Sequence, residues 1–214
     1  MLEVSMPWPG GGHPILGQVR ATVKPGDRIC LLGASGVGKT TLLNALVGLD
    51  PQVPPEAVRL QAGLRLGYLF QEHRLLPWRT LFQNLALVGA NRERSAQLLA
   101  KVGLTGYGHY RPDQLSLGMA RRAALARCLA VVPDVLLLDE PFASLDRPRA
   151  DELRQLICGL LDRRPQMAMI CVTHDARDAH QLANQLWYLS GRPAQLTRES
   201  LTAGTLSPAP KVPH

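Results

Sequence analysis

The stretch GASGVGKT at residues 33–40 constrains this chain more than any other, because it matches G-x-x-x-x-G-K-[ST] at every fixed position. RICLLG before it reads as a short apolar strand ending in glycine, and GKTTLLNALVGL after it has helical spacing. A strand, a tight turn and a helix in that order turn successive backbone N–H groups toward an anion. Gly33, Gly36 and Gly38 permit the turn, while Ala34, Ser35 and Val37 contribute the intervening peptides. Lys39 fits the β- and γ-oxygens of a bound triphosphate, Thr40 offers its hydroxyl to magnesium, and Thr41 opens the helix beside it. A glycine turn serving structure alone does not require that lysine and threonine, so the segment predicts nucleotide binding.

A second element, VLLLDEPF at residues 135–142, complements the first. Its apolar strand delivers Asp139 to the carboxyl edge of a parallel sheet, where it can hold the metal through water; Glu140 follows as a candidate base for an attacking water. An acidic pair after a strand can merely cap the next element, but joined to a phosphate loop it reads as a hydrolytic centre. None of Lys24, Lys39, Lys101 and Lys211 lies in an [NT]-K-x-D setting, which argues against a guanine-specific GTPase.

Around these elements GQVRATV alternates like a strand, and LRLGYLF (64–70) is another strand candidate. TLFQNLALVGANRERSAQLLAKVGL has helical spacing without a β run, and DQLSLGMARRAALARCLA predicts a helix opening at a serine and a glycine, an arrangement that offers unpaired N–H groups to an anion. The βα pattern then returns. Residues 148–163 place Leu153, Leu156, Ile157, Leu160 and Leu161 on one helical face with Pro148 in the first turn; MAMICV is a strand, DARDAHQLANQL a helix capped by Asp175, and LWYLSGRPAQL a hairpin. The fold class expected is α/β: a P-loop NTPase with a mainly parallel sheet, a small antiparallel β portion and an inserted helical subdomain. The division expected is a core of residues 1–71 and 131–205, a helical subdomain of 72–130 and a disordered tail of 206–214.

Composition excludes several alternatives. At 46% hydrophobic over 214 residues the chain can bury a full core, yet no apolar run reaches the roughly 18 residues of a membrane span. MLEVSMPWPGGGHP lacks the basic head and apolar stretch of a secretory signal, which predicts a protein that stays in the cytoplasm. Cys30, Cys128, Cys158 and Cys171 are far apart in apolar stretches and are expected to be buried reduced thiols. The net charge of +7 comes mostly from arginines scattered along the chain, expected on solvated faces, so no nucleic-acid partner is predicted. His174 and His180 in HDARDAH are six apart, on different helical faces, which weakens a metal reading.

With GASGVGKT, LFQ, LSLGM, VLLLDEPFASLD and VTHD in this order, the chain resembles the ATP-binding cassette (ABC) family, specifically the nucleotide-binding subunit of a transporter, from residue 15 to residue 192. The resemblance implies ATP and Mg2+ as cofactors. It further implies that Gln71 touches the metal or the attacking water, that His174 contacts the γ-phosphate and aligns the water with Glu140, and that Asp146 belongs to a loop crossing between protomers. Asp146 can equally cap a helix before Pro148. Trp8 is the candidate for stacking on adenine. In the family two chains pair head to tail, so Ser116 and Gly118 of residues 115–119 face the γ-phosphate held by a second subunit, and a homodimer is implied. The family motif has glycine where this chain has Leu117 and glutamine where it has Met119; Leu117 is disfavoured if that position needs φ > 0, and Met119 cannot hydrogen-bond a ribose.

Implied partners are transmembrane permease subunits, onto which residues 72–130 would dock, and indirectly a solute-binding protein, with the chain peripheral on the cytoplasmic face of the inner membrane. FQEHRLLPW resembles importers of the nitrate, sulfonate and taurine type, which points to small-solute import. The rival readings are an exporter or lipoprotein-release ATPase, a soluble cassette ATPase acting on DNA or ribosomes, and a nucleotide-binding subunit that hydrolyses poorly because of Leu117 and Met119.

Overall fold

VLLLD is buried at all five positions, and so is AMICV, which only a strand covered on both faces allows. A computed structural model of the chain describes residues 1–6 and 15–201. In chain order the elements are β1 (Leu2–Met6), β2 (Val19–Val23), β3 (Arg28–Leu32), α1 (Lys39–Leu46), β4 (Val58–Leu60), β5 (Leu66–Leu69), α2 (Leu81–Ala86), α3 (Arg92–Lys101), α4 (Leu117–Ala130), β6 (Val135–Asp139), α5 (Arg147–Asp162), β7 (Ala168–Val172), α6 (Ala176–Leu182), β8 (Gln185–Ser190) and β9 (Gln195–Ser200). The six-stranded sheet runs β5-β6-β7-β3-β8-β9, parallel except where β9 turns back against β8. A smaller antiparallel sheet has the order β2-β1-β4.

Alternation along the parallel strands divides the core. Leu136, Leu138, Met169 and Cys171 face α4 and α5, whereas Val135, Leu137, Ile170 and Val172 face α1 and the small sheet. The order places β5, β6, β7 and β3 side by side and parallel, so the residues following their carboxyl ends share one edge: Gln71, Asp139 with Glu140, His174, and the phosphate loop.

The expected helical stretch after β5 divides in two. A capping box between Thr80 and Gln83 starts α2, Gly89 at φ +83 breaks the chain, and Asn91 accepts from Arg94 N at 2.8 Å to start α3. The expected caps hold at Asp146, which accepts from Arg149 N at 3.0 Å, and at Asp175, which accepts from Arg177 N at 2.9 Å. Strands β1 and β4 were not predicted; β4 has three residues and β1 five, too few to show a period.

Two expectations need correction. Not all arginines lie on solvated faces: Arg121 and Arg154 are 6% and 3% exposed, because each finds buried acceptors. Of the four thiols, Cys158 is only half-buried, near the end of α5. Trp8 and the 206–214 tail lie outside the described residues.

Candidate functional site

The phosphate loop joins β3 to α1 with its crown, Ala34 to Gly36, exposed, while Val37 packs into the core and leaves only its backbone for a ligand. Gly38 caps α1 at φ +110 with no side-chain acceptor, and a Cβ there would lie 2.7 Å from Ile15 Cγ2. The first N–H groups of α1 therefore remain available to an anion. Lys39 is 7% exposed, and its Nζ donates to Gly33 O at 2.8 Å and Ala34 O at 2.9 Å. The lysine thus folds over its own loop.

Thr40 Oγ1 donates to Asp139 Oδ1 at 3.2 Å, joining the first turn of α1 to the end of β6. Burial pushes the Asp139 carboxyl up, with Glu140 adding to the rise and Thr40 and Lys39 opposing it. Burial pulls the Lys39 ammonium down against the attraction of Glu140 and Asp139. Tyr68 on β5 donates to Asn44 on α1 at 3.1 Å, closing this side of the loop.

Glu140 departs from the strand at φ +45, a left-handed turn for a non-glycine residue. Its N–H donates to Val172 O at 3.1 Å. Its carboxylate Oε2 stands 4.0 Å from His174 Nδ1, a near contact beyond hydrogen-bond length. Glu140, His174 and Gln71 line one cleft of about 460 Å³ with Ser144, Leu145 and Asp175. His174 is 71% exposed at the rim and Glu140 25% exposed within it.

Ser116 and Gly118 are not part of that cleft. They line a second hollow of about 150 Å³ with Met119, Arg149 and Leu145, the last of these shared with the cleft. The Ser116 hydroxyl accepts from Met119 N at 3.3 Å as the cap of α4. Leu117 is in the first turn of α4 and is absent from the left-handed residues, so the conformational objection to it disappears; its side chain is 45% exposed.

Sequence reasoning missed the residues that hold the loops. Arg127 donates to Arg74 O at 2.7 Å and His73 O at 3.2 Å, and the fully buried Asn84 binds Leu76 and the carbonyls of Arg79 and Thr80, so the segment after Gln71 is tied to α4 and α2. Arg154 pairs with Asp178 at 2.6 Å, and Asp178 also accepts from Thr173, fixing the segment that carries His174. The one available signal was an arginine or asparagine inside an apolar helical stretch; partners far away in sequence decide whether it is buried.

A parallel sheet whose carboxyl edge carries a glycine loop with Lys39 and Thr40, a buried aspartate against that threonine and a glutamate one residue on defines a P-loop nucleoside triphosphatase. The chain belongs to the ABC transporter family, whose model matches residues 16–143. It is 36% identical over 200 residues to the aliphatic sulfonates import ATP-binding protein SsuB 2 of Pseudomonas syringae pv. tomato, covering 92% of this chain and 84% of that protein. It is 43% identical over 186 residues to SsuB 3 of Paraburkholderia xenovorans, covering 85% and 74%. Among solved structures, a dimeric ATP-binding cassette in a post-hydrolysis state bound to ADP and Pi superposes with a TM-score of 0.78 at 27% identity, covering 95% of this chain and all of that one. The chain is accordingly an ATP-binding, ATP-hydrolysing subunit of an ABC-type transport system. No helix among the described residues is long and apolar enough to cross a membrane.

Proposed function

We propose that two copies of this chain close head to tail around ATP and that Glu140 activates the water that cleaves it, powering a permease that imports a small organic anion of the sulfonate kind. The observation that carries the reading is the separation of two half-sites. The phosphate loop, Asp139, Glu140, Gln71 and His174 converge at one sheet edge, while Ser116 and Gly118 open onto another hollow, free to serve a partner's nucleotide.

Within one copy, residues 33–41 wrap the phosphates with backbone N–H groups, and Lys39 exchanges its two carbonyl acceptors for phosphate oxygens. Thr40, Asp139 and Gln71 are the residues to hold Mg2+. The adjoining hydroxyl and carboxylate oxygens are hard donors, and a buried carboxylate with a raised pKa gains from a cation, so they fit that ion. Bound there, the ion would neutralise charge on the phosphates. Glu140 takes a proton from water, and His174 at the cleft rim orients that water and meets the γ-phosphate. Across the interface, Ser116, Gly118 and the start of α4 supply N–H groups to the same phosphate, with Asp146 near the crossing. Loss of the γ-phosphate removes those contacts and separates the copies.

The relatives' names supply the substrate class. Exposed Trp78 and Leu87, at 65% and 56%, give the segment between Gln71 and α3 an apolar surface for the permease on the cytoplasmic side of the membrane, with a solute-binding protein reached through that permease. The test is Glu140→Gln. The variant should lose about 100-fold or more in turnover, bind ATP, and accumulate as a dimer in light scattering. Sustained turnover would refute the role of Glu140, and a monomer at saturating ATP would refute the clamp.

A further inference from the structure

We infer that Arg121 is a positioning residue for hydrolysis, holding the peptide turn at Glu140 and tying it to α4. The inference rests on the reading of Glu140 as the base. Arg121 Nη1 donates to Glu140 O at 2.9 Å and to Pro141 O at 2.6 Å, so one guanidinium nitrogen grips two consecutive carbonyls, those of the peptide links on either side of Pro141. The turn it grips is the one in which Glu140 adopts φ +45 immediately before a proline, a conformation that persists only where the surroundings over-determine it. Two backbone bonds also hold that turn, the N–H of Glu140 on Val172 O at 3.1 Å and the N–H of Ala143 on Glu140 O at 3.1 Å. Those two bonds fix the turn to the sheet and to itself. Arg121 alone of the three reaches it from another layer, out of α4.

A purely structural staple would be expected to use an economical donor. Arg121 is instead a cation only 6% exposed, whose Nε is buried without a partner and whose Nη1 acceptors are neutral carbonyls. Desolvation opposes its charge, and the Glu140 carboxylate is the group that favours it. Arg121 also lies five residues beyond Ser116, the cap of α4, about 7.5 Å along the helix axis at 1.5 Å per residue. A stiff helix therefore joins the end offered to one nucleotide to the backbone of the base serving the other.

The test compares Arg121→Met, which keeps the stem and removes the donors, with Arg121→Lys, which keeps the charge with a single donor group. Steady-state hydrolysis of Mg-ATP by the full chain is set beside ATP affinity from calorimetry. Arg121→Met should lower kcat tenfold or more with KM and affinity within twofold of the parent, and Arg121→Lys should recover part of kcat. A folded Arg121→Met with kcat within twofold of the parent overturns the inference, as does a parallel loss of kcat and affinity. If Arg121→Met does not fold, the same kcat-against-KM split in Arg121→Lys decides the matter. Failure of the underlying reading is distinct: Glu140→Gln would then retain turnover, whatever the Arg121 variants do.

Discussion

Lys39 and Asp139 are charges of opposite sign, 7% and 2% exposed, at the meeting of α1 and β6, each less comfortable charged than in water. In the proposed reading, phosphate is the remedy for Lys39. Lys39→Ala should weaken ATP binding by roughly tenfold to a hundredfold, the size of a charge-assisted hydrogen bond at about 1.5–3 kcal/mol, and unchanged affinity by calorimetry would remove Lys39 from the phosphate site. The thiols give a second prediction. Burial pushes Cys128 up to about 12, the hydrogen bond with Cys30 followed by burial raises Cys171 well above its ordinary value, and Cys158 is raised but half-exposed. A thiol reagent at neutral pH should modify Cys158 first in the native protein, with the others reacting after denaturation; early labelling of Cys128 by mass spectrometry would contradict this. The sign for Cys128 follows from linkage. Its folded pKa lies above the free value of 9, so its contribution is intact below pH 9 and stability declines as pH rises from there through about 12.

At the scale of elements, five helices among the described residues begin with side-chain caps: Thr80 on α2, Asn91 on α3, Ser116 on α4, Asp146 on α5 and Asp175 on α6. Asn91→Ala and Ser116→Ala should each cost about 1 kcal/mol in chemical denaturation. Only Ser116→Ala should also weaken ATP-dependent pairing of a Glu140→Gln background, because in the proposed clamp only α4 presents its start to the partner. Equal pairing in the two variants would reduce Ser116 to a cap. Loop anchoring belongs to this scale as well. Arg154 and Asp178 are 3% and 1% exposed, so Arg154→Ala leaves Asp178 as an unpaired buried charge, and a stability loss of about 3–5 kcal/mol is expected. A loss below about 1 kcal/mol in denaturant titration would show that the pair does not anchor the segment bearing His174.

At the scale of the whole molecule, the departures at Leu117 and Met119 bear on the proposed clamp. Leu117 sits in helical backbone and exposes 45% of its side chain at the hollow's helix, so the double change Leu117→Gly and Met119→Gln should leave ATP-dependent pairing as strong or stronger. A marked loss in light scattering would mean that the apolar side chains themselves contribute to the interface. Most strands and helices, the helix opening at Ser116 and the caps Asp146 and Asp175 were legible in the amino-acid order, since periods of two and 3.6 and caps are local, whereas β1, β4 and the break between α2 and α3 were not. GASGVGKT and VLLLDE were legible too, because a phosphate cradle is built from consecutive backbone groups, and their spacing is itself the chemistry. Sequence did not reveal that β7 would lie between β3 and β6, which brings Thr40 to Asp139 and Glu140 toward His174. Nor did it distinguish Arg121 and Arg154 from arginines in water. A hydrogen bond between residues 19 or 24 positions apart depends on where the helices pack, and packing is a property of all the contacts together.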